Sequence, residues 1–248
     1  MKHWSFTRLA ALALLASSFT LLAVEPDKLA TDRGDAVIQP INHATLAIEW
    51  NDKTILVDPV GGAERFAKYK KPDVILVTDI HGDHFDPKTL AAIAVGSTKI
   101  LAPAAVIEKM DADLKAKTTQ LANGEKKEFS GANVEAVPMY NLTADRLKFH
   151  NKGRGNGYVV TLGGKRLYFS GDTEDIPEMR ALKNIDVAFV CFNLPYTMTE
   201  EQAASAVREF KPQVVYPYHY RGSDTEKFKK LVSETPGIEV RLRDWYGK

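Results

Sequence analysis

The sequence predicts a single α/β domain of layered sheets with helices on the outside. Three observations carry this expectation. Early strand-like runs pair as antiparallel hairpins, while later ones alternate with helical patterns. One run, DVILVT at 73–78, is apolar without a break, as in a strand covered on both faces. The composition, 44% hydrophobic and 26% charged over 248 residues, is that of a globular chain long enough to bury a sizeable core. Lys+Arg (33) and Asp+Glu (32) balance, so no broad basic face is implied and no nucleic-acid partner is expected. The single cysteine, Cys191, excludes an intrachain disulfide and a cysteine-based zinc finger.

The start of the chain follows another logic. Lys2, His3 and Arg8 precede the apolar run LAALALLASSFTLLA at 9–23, and polar VEPDK follows. This reads as a signal peptide over 1–23, cleaved near Ala23, ahead of one domain over 24–248. The run is shorter than the roughly 20 residues of a spanning helix, so no stable membrane span is expected after processing. No cysteine ends it, which closes the bacterial lipoprotein route. Loss of Lys2 and Arg8 takes the net charge from +1 to −1. The mature protein is expected to be exported, periplasmic or secreted. With one thiol, its stability must rest on its core or on metal.

Within the domain, strands are expected at 44–50 and 53–57, joined at Asn51-Asp52 by a tight hairpin. Further strands are expected at 73–78, 99–101, 127–130 and 133–138. Those at 158–162 and 166–170 flank a second hairpin at Gly163-Gly164, and 186–192, 213–217 and 238–242 complete the set. Helical patterns fall at 87–95, 104–110, 176–182, 199–210 and 224–233. Thr199 followed by Glu200 and Glu201 suits a helix N-terminus.

Five histidines lie beyond the signal segment: His43, His81, His84, His150 and His219. Two of them fall in TDIHGDH (78–84), directly after the buried strand. Alternate residues of an extended segment point the same way, so Asp79 and His81 can face one ion. Gly82 lets the chain turn and present Asp83 and His84 as a second pair. Carboxylate with imidazole suits zinc, manganese or iron, and no thiolate narrows the choice. A plain helix-capping turn also holds Asp and Gly. It seldom alternates two Asp with two His. Two more apolar strands end in ligand-type side chains, Asp172 in YFSGDT (168–173) and His219 in VVYPYHY (214–220). Singly they read as a cap and a satisfied histidine. Together the three segments describe a metal site built along a sheet edge.

HATLAIEWNDKTILVDP (43–59), TDIHGDH (78–84), SGDT (170–173) and YPYHY (216–220) resemble, in order and spacing, the metallo-β-lactamase fold superfamily. The likeness covers nearly the whole mature chain and is strongest to the branch holding ascorbate-6-phosphate lactonase and many metal-dependent hydrolases. It implies a four-layer αβ/βα sandwich and one or two divalent ions: zinc, manganese or iron. The family pattern is His-x-His-x-Asp-His, a lone His, a bridging Asp and a final His. It transfers to Asp79, His81, Asp83, His84, Asp172 and His219. Two positions depart. Asp79 stands where the family has histidine, and 137–141, where the lone His belongs, contains none. Asn141, through its amide oxygen, and His150, nine residues later, are the alternatives. One metal position then has Asp79, His81 and Asn141 with bridging Asp172. The other keeps Asp83, His84, Asp172 and His219. The oxygen-rich first position favours manganese or iron(II) over zinc.

The resemblance implies hydrolysis of an ester, lactone or phosphodiester, in which a divalent ion activates water and polarises the scissile group. Asp83 and Asp172 are the expected catalytic carboxylates. Asp172 would bridge, and Asp83 would orient the nucleophile and carry a proton. Asp58 is expected to support the ligand loop as an acceptor. Arg146, Lys148, His150, Lys152 and Arg154 form a basic, glycine-bearing stretch suited to an anionic group of a small-molecule substrate. His43, His150, Arg154, Tyr196 and Tyr220 are expected around that substrate. Two other readings stand beside this one. A non-catalytic metal- or ligand-binding protein would account for the two altered ligand positions. A nuclease-type relative is disfavoured by the mature charge. The sequence leaves the oligomeric state open.

Overall fold

A computed structural model describes Met1 and residues 26–247; the expected signal peptide lies outside the described residues. Two seven-stranded sheets each run in chain order. The first holds β1 (Asp27–Thr31), β2 (Gly34–Asn42), β3 (Thr45–Trp50), β4 (Lys53–Val57), β5 (Val74–Leu76), β6 (Lys99–Ala102) and β7 (Thr118–Gln120). The second holds β8 (Lys126–Phe129), β9 (Ala132–Met139), β10 (Gly155–Leu162), β11 (Lys165–Phe169), β12 (Val187–Cys191), β13 (Val214–Tyr218) and β14 (Glu239–Val240). In both, the first four strands pair antiparallel and the fourth to seventh pair parallel. The helices are α1 (Pro87–Ile93), α2 (Ala104–Glu108), α3 (Ala112–Lys117), α4 (Pro177–Arg180), α5 (Glu200–Phe210) and α6 (Thr225–Val232). Among the described residues, no helix is long and apolar enough to cross a membrane.

Alternation along the strands builds the layers. Leu46, Ile48, Ile55, Val57, Val74 and Leu76 enter the main core with residues of the second sheet. Their neighbours Ala47, Leu56 and Ile75 point the other way, into a second core with Leu90 of α1, Val106 of α2 and Leu114 of α3. Successive side chains of a strand take opposite faces, and both faces are covered here, so β5 is apolar throughout and β3 and β4 are apolar through their middles. On the far side, Ala203, Val207 and Phe210 of α5 and Phe228 and Val232 of α6 close the second sheet. The result is the expected αβ/βα sandwich.

The sequence reading locates most elements to within a residue or two and omits β1, β2, β7 and α3. Strand β2 carries Pro40 and a register shift between Pro40 and Asn42, which breaks its period-2 pattern. Strands β1 and β7 are short and largely polar. The expected N-cap at Thr199 is present as a full capping box with Gln202.

At one edge the sheets are stitched together. Asn156 N donates to Thr78 O (2.9 Å) and Tyr158 Oη donates to Val77 O (2.9 Å), linking β10 to the segment after β5. Within the second sheet, the approach of β10 to β11 depends on glycine. A Cβ on Gly157 would sit 2.9 Å from the carbonyl oxygens of both Phe169 and Ser170. Gly157→Ala is therefore expected to destabilise the fold by about 1–3 kcal/mol, the usual cost of overpacking. Gly82→Ala, whose Cβ meets nothing within 4 Å, should change stability little. Thermal unfolding of both variants checks this; an unshifted midpoint for Gly157→Ala would show that the two strands are free to move apart.

Candidate metal centre

Strand direction brings the chemistry to one edge. Strands β2, β4, β5, β9, β11 and β13 all run towards it. His43, Asp58, the 78–84 loop, Asn141, Asp172 and His219 come just after their ends. Three of these residues hold left-handed backbone: His43 (φ 53°), Asp58 (φ 44°) and His219 (φ 47°). For a side chain with a Cβ this costs about 1–2 kcal/mol each. The geometry is fixed by neighbours: His219 N donates to His43 O (3.1 Å), His43 N to Trp245 O (3.2 Å), and Asp58 N to Leu76 O (2.9 Å).

The 78–84 loop is anchored from beneath by Asp58, as expected. This fully buried carboxylate accepts from Thr78 N (2.8 Å), Thr78 Oγ1 (2.6 Å) and His84 Nδ1 (2.8 Å). Burial raises its pKa despite the nearby imidazole. A carboxylate on Nδ1 fixes the proton there and turns Nε2 of His84 outward with its lone pair. That Nε2 lies 3.3 Å from Asp172 Oδ2 and 3.9 Å from Asp83 Oδ1. His219 Nε2 lies 3.2 Å from Asp172 Oδ1 and 3.3 Å from Asp83 Oδ2. His84, Asp172 and His219 thus converge on one point, and Asp83 groups with His43 and His219 beside it.

On the other side of Asp172, its Oδ2 is also 3.3 Å from His150 Nε2. His150 groups with Asp79 and His81: its Nε2 is 3.9 Å from Asp79 Oδ2, and His81 Nδ1 is 2.7 Å from the same oxygen. Between the two alternatives for the missing histidine, the structure brings His150 to this group. Asn141 stands behind it. Its amide nitrogen donates to the carbonyls of Arg146 (2.9 Å) and Tyr196 (2.7 Å), while its amide oxygen is buried without a hydrogen bond. His150 Nδ1 also faces Tyr196 O (3.2 Å), leaving Nε2 for the centre. With an imidazole there in place of an amide oxygen, the first position is less oxygen-rich than the sequence suggests.

The donor set fits a cation. His84 Nε2, His150 Nε2 and Asp172 Oδ1 are buried without hydrogen-bond partners. Orphaned buried polar atoms cost about 1–3 kcal/mol each, so three around one carboxylate call for a shared partner. Charge points the same way. Burial raises the carboxyl of Asp172, but the His219 and His84 imidazoles outweigh it and hold it well below the usual range. Burial likewise raises Asp83, and hydrogen bonds from His219 and His43 reverse this.

The remaining expected residues divide. His43 lines the site, stacking on His219 with ring centroids 3.7 Å apart. Burial lowers its pKa and outweighs the pull of Asp83, which favours the neutral ring. Its Nε2 faces Asp83 Oδ2 (3.2 Å) and its Nδ1 faces Tyr246 Oη (2.7 Å). Tyr196 lines a cavity of about 540 Å³ over the centre, with Phe149, Leu194, Pro195 and Arg221. Tyr220 does not line this cavity. Its hydroxyl donates to Arg243 O (3.0 Å), and its ring packs edge-on against Tyr246. The basic stretch is mostly committed to ion pairs: Arg146 with Glu174, Lys152 with Glu178 and Arg154 with Asp79. Tyr246 went unnoticed in the sequence. The only hint was the pair of aromatics, Trp245 and Tyr246, in an otherwise polar tail.

Comparison with known proteins agrees with this geometry. A family described as beta-lactamase superfamily domain matches residues 37–219. A UPF0173 metal-dependent hydrolase of Pyrococcus abyssi is 33% identical, over 82% of this chain and 97% of its own length. One from Symbiobacterium thermophilum is 30% identical, over 84% and 92%. The crystal structure of a proposed metal-dependent hydrolase from Parabacteroides distasonis superposes with a TM-score of 0.81 at 41% identity, covering 89% of this chain and 98% of that one. Igni18, a metallo hydrolase of Ignicoccus hospitalis, shares the fold at 21% identity (TM-score 0.70; 86% and 96% covered). Sheet wiring, motif order and relatives of nearly equal length lead to one assignment: the chain belongs to the beta-lactamase superfamily, among its metal-dependent hydrolases.

Proposed function

We propose that this protein is an exported hydrolase that cleaves an ester, lactone or phosphodiester in a small anionic substrate. One observation supports the reading above all: Asp172 stands between two sets of inward-facing donors, with Oδ2 3.3 Å from both His84 Nε2 and His150 Nε2, beside the cavity. His84, Asp172 and His219 would hold one divalent ion, with Asp83 as a further donor beside His219, and Asp79, His81 and His150 would offer a second position beside Asp172. The ion, zinc, manganese or iron(II), supplies a lowered water pKa and polarisation of the scissile oxygen.

The protein's own groups do the rest. Asp83 is half-exposed at 45% and is held through Oδ2 by His43 and His219. Its Oδ1 is left for the proton of the nucleophile and, later, of the leaving group. The His43 ring, itself faced by Tyr246 Oη, keeps Asp83 in place. Arg221, stacked over Tyr246 at 5.2 Å, is the cation at the cavity that suits an anionic group. Phe149, Leu194 and Tyr196 give the opposite wall an apolar surface for the rest of the molecule. Export rests on the basic start and the apolar run at 9–23.

Three measurements test this reading. His84→Ala and His219→Ala are expected to lose at least nine-tenths of the bound metal by elemental analysis, and Asp58→Asn to weaken binding about 10–100-fold without being a ligand. Full stoichiometry in both histidine variants would remove the site. On a panel of ester, lactone and phosphodiester substrates, metal-loaded Asp83→Asn should lower kcat about 10²–10⁴-fold. Arg221→Gln should raise KM for anionic substrates and spare neutral ones. Metal-loaded protein that turns over none of the panel would favour the binding-protein alternative. Mass spectrometry of protein recovered from the expressing cells should find an N-terminus near residue 24; an intact Met1 after export would contradict the cleavage.

A further inference from the structure

The two donor sets differ in how their carboxylates are engaged. Asp79 is fully buried, and Arg154 grips both of its oxygens: Nε to Oδ1 at 3.2 Å and Nη2 to Oδ2 at 3.0 Å. His81 Nδ1 takes a further place on Oδ2 at 2.7 Å. A carboxylate offers about four lone-pair directions, and three of them are used here. Asp172, by contrast, has Oδ1 without a hydrogen bond, faced only by His219 Nε2 at 3.2 Å. Among the described residues, no Arg or Lys forms an ion pair with Asp172 or Asp83. The Arg154 side chain is only 17% exposed, so its charge is poorly screened. Its placement is built into the sheet contact. Arg154 immediately precedes β10, and a Cβ on the next residue, Gly155, would lie 3.0 Å from Thr78 O. Glycine there lets β10 start close enough for the guanidinium to reach across to Asp79.

We propose that Arg154 makes the two metal positions unequal: by clamping Asp79 it weakens the Asp79–His81–His150 position, so the protein loads one divalent ion tightly at Asp83, His84, Asp172 and His219 and a second one weakly. This rests on the reading of the centre as a metal site. A buried guanidinium opposes a second cation twice over. It repels the ion, and it occupies the oxygens the ion would need. The fixed positive charge also makes the weak position a place where ionic conditions and metal supply set the occupancy.

The test is metal titration of chelator-stripped, full-length mature protein with zinc and with manganese, by calorimetry and by elemental analysis after desalting. Wild type should keep about one equivalent and bind a second at least tenfold more weakly. Arg154→Met keeps the apolar stem and removes charge and donors. It should tighten the second step at least tenfold and leave the first unchanged. Arg154→Lys keeps the charge without the two-point grip and should fall between them. It decides the matter if Arg154→Met fails to fold, as judged by circular dichroism. Asp79→Asn should lose the second step only. Two equally tight ions in wild type, or a second step that Arg154→Met leaves unchanged or weakens, would overturn the proposal. Wild type that binds no ion, or a first step unaffected by His84→Ala, would instead sink the metal-centre reading itself.

Discussion

The buried carboxylate of Asp58 is the interaction on which the rest of the centre depends. It ends β4 in a left-handed conformation and has no access to solvent. Such a group must be satisfied internally, and Thr78 and His84 do so with one backbone and two side-chain contacts. That fixes where the chain leaves β5, which way the His84 ring faces, and so where its free nitrogen points. Asp79, His81 and Asp83 inherit their positions from the same anchored loop. The second sheet then delivers Asp172, His150 and His219 to a point the first sheet has already defined.

Much of this was legible in the sequence for a simple physical reason. An apolar strand that ends abruptly in Asp or His advertises a sheet edge, and three such endings in one chain describe a shared site. The 78–84, 170–173 and 216–220 segments needed no long-range knowledge. The lone central donor was harder. Asn141 follows β9 at the place where a donor was expected, but His150 reaches the centre only because the intervening loop folds back on itself. Asn141 N donates to His150 O at 2.9 Å, and Glu174 accepts from Leu142 N and Thr143 N. Those bonds span from nine to about thirty residues and leave no local signature.

The basic stretch misled for a related reason. A run of Arg, Lys and His reads as an anion trap when its partners are unseen. In the fold, Arg146 meets the fully buried Glu174, Lys152 meets Glu178, and Arg154 meets Asp79. A buried carboxylate needs a countercharge far more than a solvated loop does, so these residues serve the scaffold first. Arg221, next to Tyr220, lies over the Tyr246 ring and lines the cavity. The roles within YHYRG are therefore shared differently from the expectation: Arg221 faces the cavity, while Tyr220 packs behind it.

The contact between Tyr246 and His43 joins two residues 203 positions apart. Trp245, beside it, receives the amide of His43 and packs its ring against Tyr218. The ring that steadies Asp83 is thus supported from one end of the domain by residues near the other. During synthesis, every ligand segment up to His219 emerges before this support exists. The centre is finished only when Trp245 and Tyr246 have folded back onto His43. A change at Tyr246 or Trp245 would therefore reach the surroundings of Asp83 without touching a single candidate ligand.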